Sequence, residues 1–170
     1  MSIIKHKAQR VAILIDVQNL YHSAKNLYGS RVNFKEVVKA AVAGRQLVRA
    51  MAYVIRTESG EEKPFLEALT KIGIETKLKD LQIFPGGIKK ADWDVGIAMD
   101  AARLGPKIDA LVLMSGDGDF VPLIQYMQEM FGVQVEVAAF SRSSSHKLKE
   151  AADDFTDLGS EPKKYLMRIK

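Results

Sequence analysis

Asp117 and Asp119 stand one glycine apart in the stretch Leu111–Phe120, which reads LVLMSGDGDF. Two carboxylates so close repel each other, and the turn costs stability unless a cation sits there. Asp16 follows the apolar run Val11–Ile15, and Asn19 comes one helical turn later, so both can face the same point above that run. Asp94 opens a second acidic segment. Asp100, six residues on, lies about 240° further round a helix of 3.6 residues per turn, so the two do not share a face.

Each acid alone has a bland explanation. Asp16, Asp92 and Asp94 suit helix caps or the positive end of a helix dipole, and Asp117 and Asp119 suit a turn. Asp100, flanked by Met99, Ala101 and Ala102, reads as a half-buried structural acid. Asp16, Asp94, Asp117 and Asp119 at one sheet edge are harder to dismiss. Carboxylates without histidine or cysteine partners select a hard cation, Mg2+ or Mn2+. Such a cation polarises a phosphodiester and lowers the pKa of a bound water.

Other chemistries fit less well. The chain has no cysteine, which removes thiol catalysis, disulfides and cysteine zinc sites, and suits a reducing cytosol. The three histidines, His6, His22 and His146, lie outside the acidic motifs. Ser115 has no evident base, so it reads as a hydrogen-bonding partner for a carboxylate or for the loop backbone rather than a nucleophile. Neither a G-x-G-x-x-G nor a P-loop sequence is present, and Gly116–Asp119 is too short for an EF-hand.

The elements that must position these residues alternate along the chain. Strands are expected at Val11–Asp16, Leu47–Ile55, Ile74–Leu78, Leu111–Met114 and Val133–Phe140. Helices are expected from Asp16 to about Tyr28, over Phe34–Ala43 capped by Asn33, and over Pro64–Ile72. Further helices are expected over Asp92–Leu104, Val121–Phe131 and His146–Ala152, the last capped by Ser143 or Ser144. Met127, Met130 and Met99 are expected to fill core. The segment Lys79–Lys90 reads as a loop or short hairpin in which Lys89 and Lys90, beside Gly86 and Gly87, would touch a phosphate or lie solvated. Everything after Asp153 reads as irregular and then basic. The alternation argues an α/β protein: a three-layer α/β/α, Rossmann-like fold with a mostly parallel five-stranded sheet. Acids at strand carboxyl ends then fall where open parallel sheets bind ligands.

Composition agrees. The chain has 170 residues, 47% of them hydrophobic, enough for one cored domain, expected over residues 1–160 with a basic tail over 161–170. A formal charge of +4 is a mild excess of base that favours a polyanionic partner. No secretion signal or bilayer-length apolar run is seen, so a cytoplasmic location without membrane contact is expected.

Three segments carry a family resemblance: Val11–Leu20 (VAILIDVQNL), Lys90–Asp100 (KADWDVGIAMD) and Met114–Leu123 (MSGDGDFVPL), with Ala152–Leu158 at the close. They resemble the NYN domain, specifically its bacterial LabA-like branch, which is similar to PIN-domain nucleases. The resemblance implies a PIN-like fold and a Mg2+- or Mn2+-dependent endoribonuclease. Asp16, Asp94, Asp117 and Asp119 would be its catalytic metal ligands, and Asn19 and Ser115 would support them. The family pattern also carries an acid at Asp100. RNA is the expected partner, with a homodimer left open. The alternatives are a non-catalytic RNA- or protein-binding module on the same fold and, more weakly, a phosphatase acting on a small metabolite.

Overall fold

The computed structural model describes residues 3–57, 59–87 and 89–168; the side chains of Lys89 and Lys90 lie outside the described residues. In chain order the elements are β1 (Arg10–Asp16), α1 (Val17–Tyr28), β2 (Ser30–Val32), α2 (Phe34–Val42), β3 (Gln46–Arg56), α3 (Lys63–Lys71) and β4 (Glu75–Asp80). Next come β5 (Gln82–Ile83), β6 (Lys89–Lys90), α4 (Asp94–Leu104), β7 (Ala110–Met114), α5 (Val121–Phe131) and β8 (Gln134–Ala139). Then follow α6 (His146–Ala151), β9 (Asp154–Asp157), α7 (Pro162–Tyr165) and β10 (Leu166–Arg168).

The central sheet has the order β4-β3-β1-β7-β8-β9, and every neighbouring pair is parallel. Its two middle strands are the most apolar: Val11 to Ile15 and Leu111, Leu113 and Met114 have no exposed surface. Strands covered on both faces by helices read as such continuous runs. From β1 the chain winds outward through β3 to β4. It then returns and winds the other way through β7, β8 and β9. The direction therefore switches between β1 and β7, and a crevice opens where the two crossovers diverge. The register Ile15 to Met114 brings Asp16 and Ser115 out of the sheet side by side.

The sheet has six strands where five are expected from the sequence. The sixth, β9, lies in the segment expected to be irregular. Its four residues, DFTD, are all half-buried and carry no alternating pattern, and β8 supplies their ladder partners. Two small antiparallel pairs complete the fold: β10 on β2, and β5 on β6, the latter being the hairpin foreseen near Gly86. Residues 162–168 of the expected basic tail fold as α7 and β10, with Tyr165 buried.

The caps explain where helices start. Asn33 accepts a hydrogen bond from the Glu36 N–H at the head of α2, as expected. Ser145, not Ser143 or Ser144, caps α6 by accepting from the Leu148 N–H. The hydroxyls of Ser143 and Ser144 instead donate to Ser23 and to the Phe140 carbonyl. Met127 is fully buried, but Met99 and Met130 are 55% and 61% exposed, contrary to expectation. Phe131, four residues after Met127, packs against the core in place of Met130. Among the described residues no helix is long and apolar enough to cross a membrane.

Candidate functional site

The acids gather above the carboxyl ends of β1 and β7. Asp16 caps α1: one oxygen accepts from the Asn19 N–H at 3.3 Å and the other from the Ser115 hydroxyl at 2.9 Å. Asn19 reaches back across the switch point, its Oδ1 accepting from the Gly116 N–H at 2.9 Å. Ser115 is fully buried, and its Oγ also accepts from the Asp117 N–H at 3.2 Å. Asp117 in turn caps the short 3-10 turn Gly118–Phe120 by accepting from the Asp119 N–H at 2.9 Å. The strand end, the turn and the start of α1 are thus one connected hydrogen-bonded unit.

Two glycines in this loop are required by close packing. A Cβ at Gly116 would meet the Ser144 Cα at 3.1 Å and its Oγ at 2.6 Å, and one at Gly118 would meet the Ser145 Oγ at 2.7 Å. The serine-rich loop after β8 therefore braces the acidic loop from behind. That bracing also runs through the Ser145 N–H, which donates to the Gly116 carbonyl at 3.0 Å.

Asp94 enters from the first turn of α4, its N–H donating to an Asp92 carboxylate oxygen at 3.1 Å. One carboxylate oxygen each from Asp94, Asp117 and Asp119 lie within 4.8 Å of one another. Burial, and then the charges of Asp117, Asp92, Asp16 and Asp119, push the Asp94 carboxyl up to about 7. Burial also pushes Asp16 up, against the hydrogen bonds from Ser115 and Asn19 and with the added repulsion of Asp117 and Asp92. Among the described residues no lysine or arginine pairs with any of these four acids.

This donor set fits a divalent cation. It is all oxygen, it is crowded with like charge that a cation would relieve, and its members come from the first turn of α4 and the turn after β7. Asp94, Asp117 and Asp119 are the residues placed to hold one directly. Asp16 lines the same cleft as Asp94 and Asp117 and is anchored to Asp117 through the Ser115 hydroxyl.

Asp100 is not part of this grouping. It is buried one and a half turns along α4. There it accepts from the Tyr53 hydroxyl at 2.7 Å, Lys77 Nζ at 2.6 Å and Arg103 Nη2 at 2.6 Å. Burial alone would push its carboxyl up, but the bonds from Lys77 and Tyr53 and the charges of Lys77 and Arg103 outweigh this and hold it below the ordinary range. Burial, followed by the bond to Asp100, pushes the Tyr53 phenol up. Asp100 does not line the cleft, but Tyr53, which donates to it, does.

The cleft has a volume of about 260 Å³. Asp16, Asp92, Asp94 and Asp117 line it, together with Tyr53, Ile55 and Trp93. His22, in the second turn of α1, also lines it. The sequence offered little sign of these last four. Tyr53 and Ile55 read as ordinary strand residues, and Trp93 was signalled only by standing next to Asp94. The proposed phosphate contacts Lys89 and Lys90 lie, as side chains, outside the described residues.

Comparison with known proteins agrees with this architecture. The NYN domain model matches residues 10–159. The chain is 26% identical over 161 residues to "Low amplitude and bright protein LabA" of Synechococcus elongatus, covering 89% of this chain and 85% of that protein. The crystal structure of VPA0982, a protein of unknown function from Vibrio parahaemolyticus, superposes with a TM-score of 0.86 at 32% identity. That alignment covers 97% of this chain and all of the other.

Proposed function

We propose that this chain, which belongs to the NYN domain family, is a divalent-cation-dependent ribonuclease that hydrolyses RNA phosphodiester bonds at the acidic edge of its sheet. The observation that carries the reading is the convergence of Asp94, Asp117 and Asp119, with oxygens within 4.8 Å, at the switch point of a parallel sheet. When bound, Mg2+ or Mn2+ would polarise the phosphate and activate a water.

The chain's own residues have separable tasks. Asp94, Asp117 and Asp119 hold the cation. Asp16 adds the fourth negative charge and is kept in place by Ser115 and the Asn19 N–H. Asn19, by fixing the Gly116 N–H, sets the loop that carries Asp117 and Asp119. Lys89 and Lys90 are the proposed contacts to the RNA backbone. Asp100 supports the wall of the cleft rather than the cation.

The test is cleavage of RNA by the purified chain with Mg2+, with Mn2+ and with a chelator. Turnover is expected with at least one ion and none with chelator. Asp117→Asn is expected to lower the rate by more than the ~10–100-fold typical of a residue that only supports a ligand, with the fold intact by circular dichroism. Equal RNA affinity with and without cation, and no cleavage with either ion, would leave the binding-module reading in its place.

A further inference from the structure

Trp93, the only tryptophan in the chain, directly precedes Asp94. Local helix chemistry works against it. It occupies the N-cap of α4 without making any side-chain cap hydrogen bond, at a position where serine, threonine, aspartate or asparagine would stabilise the helix. Gly96 then weakens the first turn of the same helix, and its lack of a side chain is required by the indole. A Cβ there would meet Trp93 Cε3 at 2.6 Å and Cζ3 at 3.0 Å. The N-cap side chain itself caps nothing, the Asp92 carboxylate taking the Asp94 N–H instead, and the helix accepts a glycine where the indole lies. Such breaks with local preference concentrate at functional sites.

The indole is held firmly. Its Nε1 donates to the Val54 carbonyl at 3.1 Å, and its ring meets Tyr53 edge-on with centroids 5.4 Å apart. The Lys79 ammonium lies 4.6 Å from the ring centroid and donates to the Asp92 carbonyl at 2.9 Å. Trp93 is only half-buried, and it lines the acidic cleft together with Ile55 and Tyr53.

A cleft of about 260 Å³ is near the lower size limit for a small-ligand pocket, which suits one nucleotide unit. A base already paired and stacked in an A-form duplex cannot present its face there. The surrounding carboxylates repel a phosphate backbone, so attraction must come from elsewhere. An aromatic face that stacks on any base supplies it, and Lys79 adds a positive charge for a neighbouring phosphate.

We infer that Trp93, backed by Lys79, is a stacking subsite for an unpaired nucleotide beside the scissile phosphate. The inference rests on the ribonuclease reading above, which would make the neighbouring acids the cutting site.

The single tryptophan makes the test direct. An Asp117→Asn protein, used so that RNA stays intact, is titrated with a short unpaired oligoribonucleotide and with the same strand annealed to its complement. Trp93 emission is expected to be quenched by the unpaired strand and not by the duplex. On that background Trp93→Leu is expected to weaken unpaired-strand binding, read by anisotropy of labelled RNA, by about 5- to 100-fold. Trp93→Phe, which keeps a ring, is expected to recover most of the loss. Unchanged emission with bound RNA, or equal affinity of Trp93→Leu and its parent, overturns the subsite even if the wild-type chain cleaves RNA. Quenching and affinity loss as expected, with no cleavage by the wild-type chain under Mg2+ or Mn2+, leave the subsite standing and remove the nuclease. If Trp93→Leu does not fold, wild-type-ring quenching and Trp93→Phe decide the matter.

Discussion

Ser115 at the end of β7 donates its hydroxyl to Asp16 at the end of β1, at 2.9 Å and across 99 positions of sequence. The same oxygen accepts from the Asp117 N–H, so one buried hydroxyl ties two acids of the cleft together. Ser115→Ala removes a buried donor to a carboxylate, a loss of ~1.5–3 kcal/mol. Chemical denaturation is expected to show that loss, and cleavage is expected to fall with it because Asp16 loses its anchor. A variant as stable and as active as the parent would show that the bond does not organise the site.

Asp94 carries a pH signature. Its carboxyl is raised from an ordinary 3.8 to about 7, so the folded chain binds this proton more tightly than the unfolded chain does. Between those two values the native state holds more protons, and stability must fall as pH rises. The cation-free protein is therefore expected to melt at a higher temperature near the acidic end of that window than at its neutral end. Asp94→Asn is expected to flatten the slope. Melting curves across the window, with chelator present, measure it.

Cation binding should oppose that trend. Mg2+ or Mn2+ competes with the Asp94 proton, so apparent affinity is expected to drop about tenfold per pH unit below about 7. Above that pH, cation at 100 times its dissociation constant should add about 2.7 kcal/mol of stability. Isothermal titration at several pH values checks the first expectation and thermal melts check the second. Asp119→Asn is expected to weaken both effects, since Asp119 is one of the three converging acids.

The two loop glycines should differ in their tolerance. Gly116→Ala would press on the Ser144 backbone at 3.1 Å, whereas Gly118→Ala would press on the Ser145 side chain, at 2.7 Å from its Oγ and 2.9 Å from its Cβ. Either hydroxyl can turn aside, but the Ser145 Cβ at 2.9 Å cannot and lies closer than the Ser144 Cα at 3.1 Å, so Gly118→Ala is expected to be the worse, at ~1–3 kcal/mol of overpacking. Denaturant midpoints for the two variants give the comparison. The more strained loop should also bind cation less tightly.

Asp100 should prove structural. Asp100→Ala leaves the buried Tyr53 hydroxyl without its acceptor and strips Lys77 of its partner. A fully enclosed ion pair broken this way costs ~3–5 kcal/mol. Here Lys77 and Arg103 reach solvent, so about 2–3 kcal/mol is expected. Cation affinity of the folded variant is expected to stay near the parent value. A large drop would place Asp100 among the ligands after all.

The acid-bearing turns were legible because each is a local pattern. Val11–Asp16 and Leu111–Asp119 each join an unbroken apolar run to a polar turn, and such a run in an alternating chain means a buried parallel strand with its acid at the carboxyl end. Asn33 as a cap and the helix Val121–Phe131 follow from the same short-range rules. The sixth strand was not legible. Nothing in Asp154–Asp157 encodes a strand except the unpaired edge of β8 that it covers. Ser145 rather than its neighbours became the cap because Ser143 and Ser144 found partners in α1 and at Phe140, far off or already turned away.

The amino-acid order by itself settled which residues carry charge, where strands end and which chemistry all-oxygen donors favour, because those properties depend on side-chain type and on spacing within a few residues. Tertiary structure alone decided that β1 lies beside β7, that Asp94 swings in while Asp100 turns to Tyr53 and Lys77, and that Trp93 lines the same cleft as the acids. These are long-range adjacencies. They are chosen when helices cover both faces of the sheet and the crossovers diverge, a competition among whole-chain packings that no short window of residues contains.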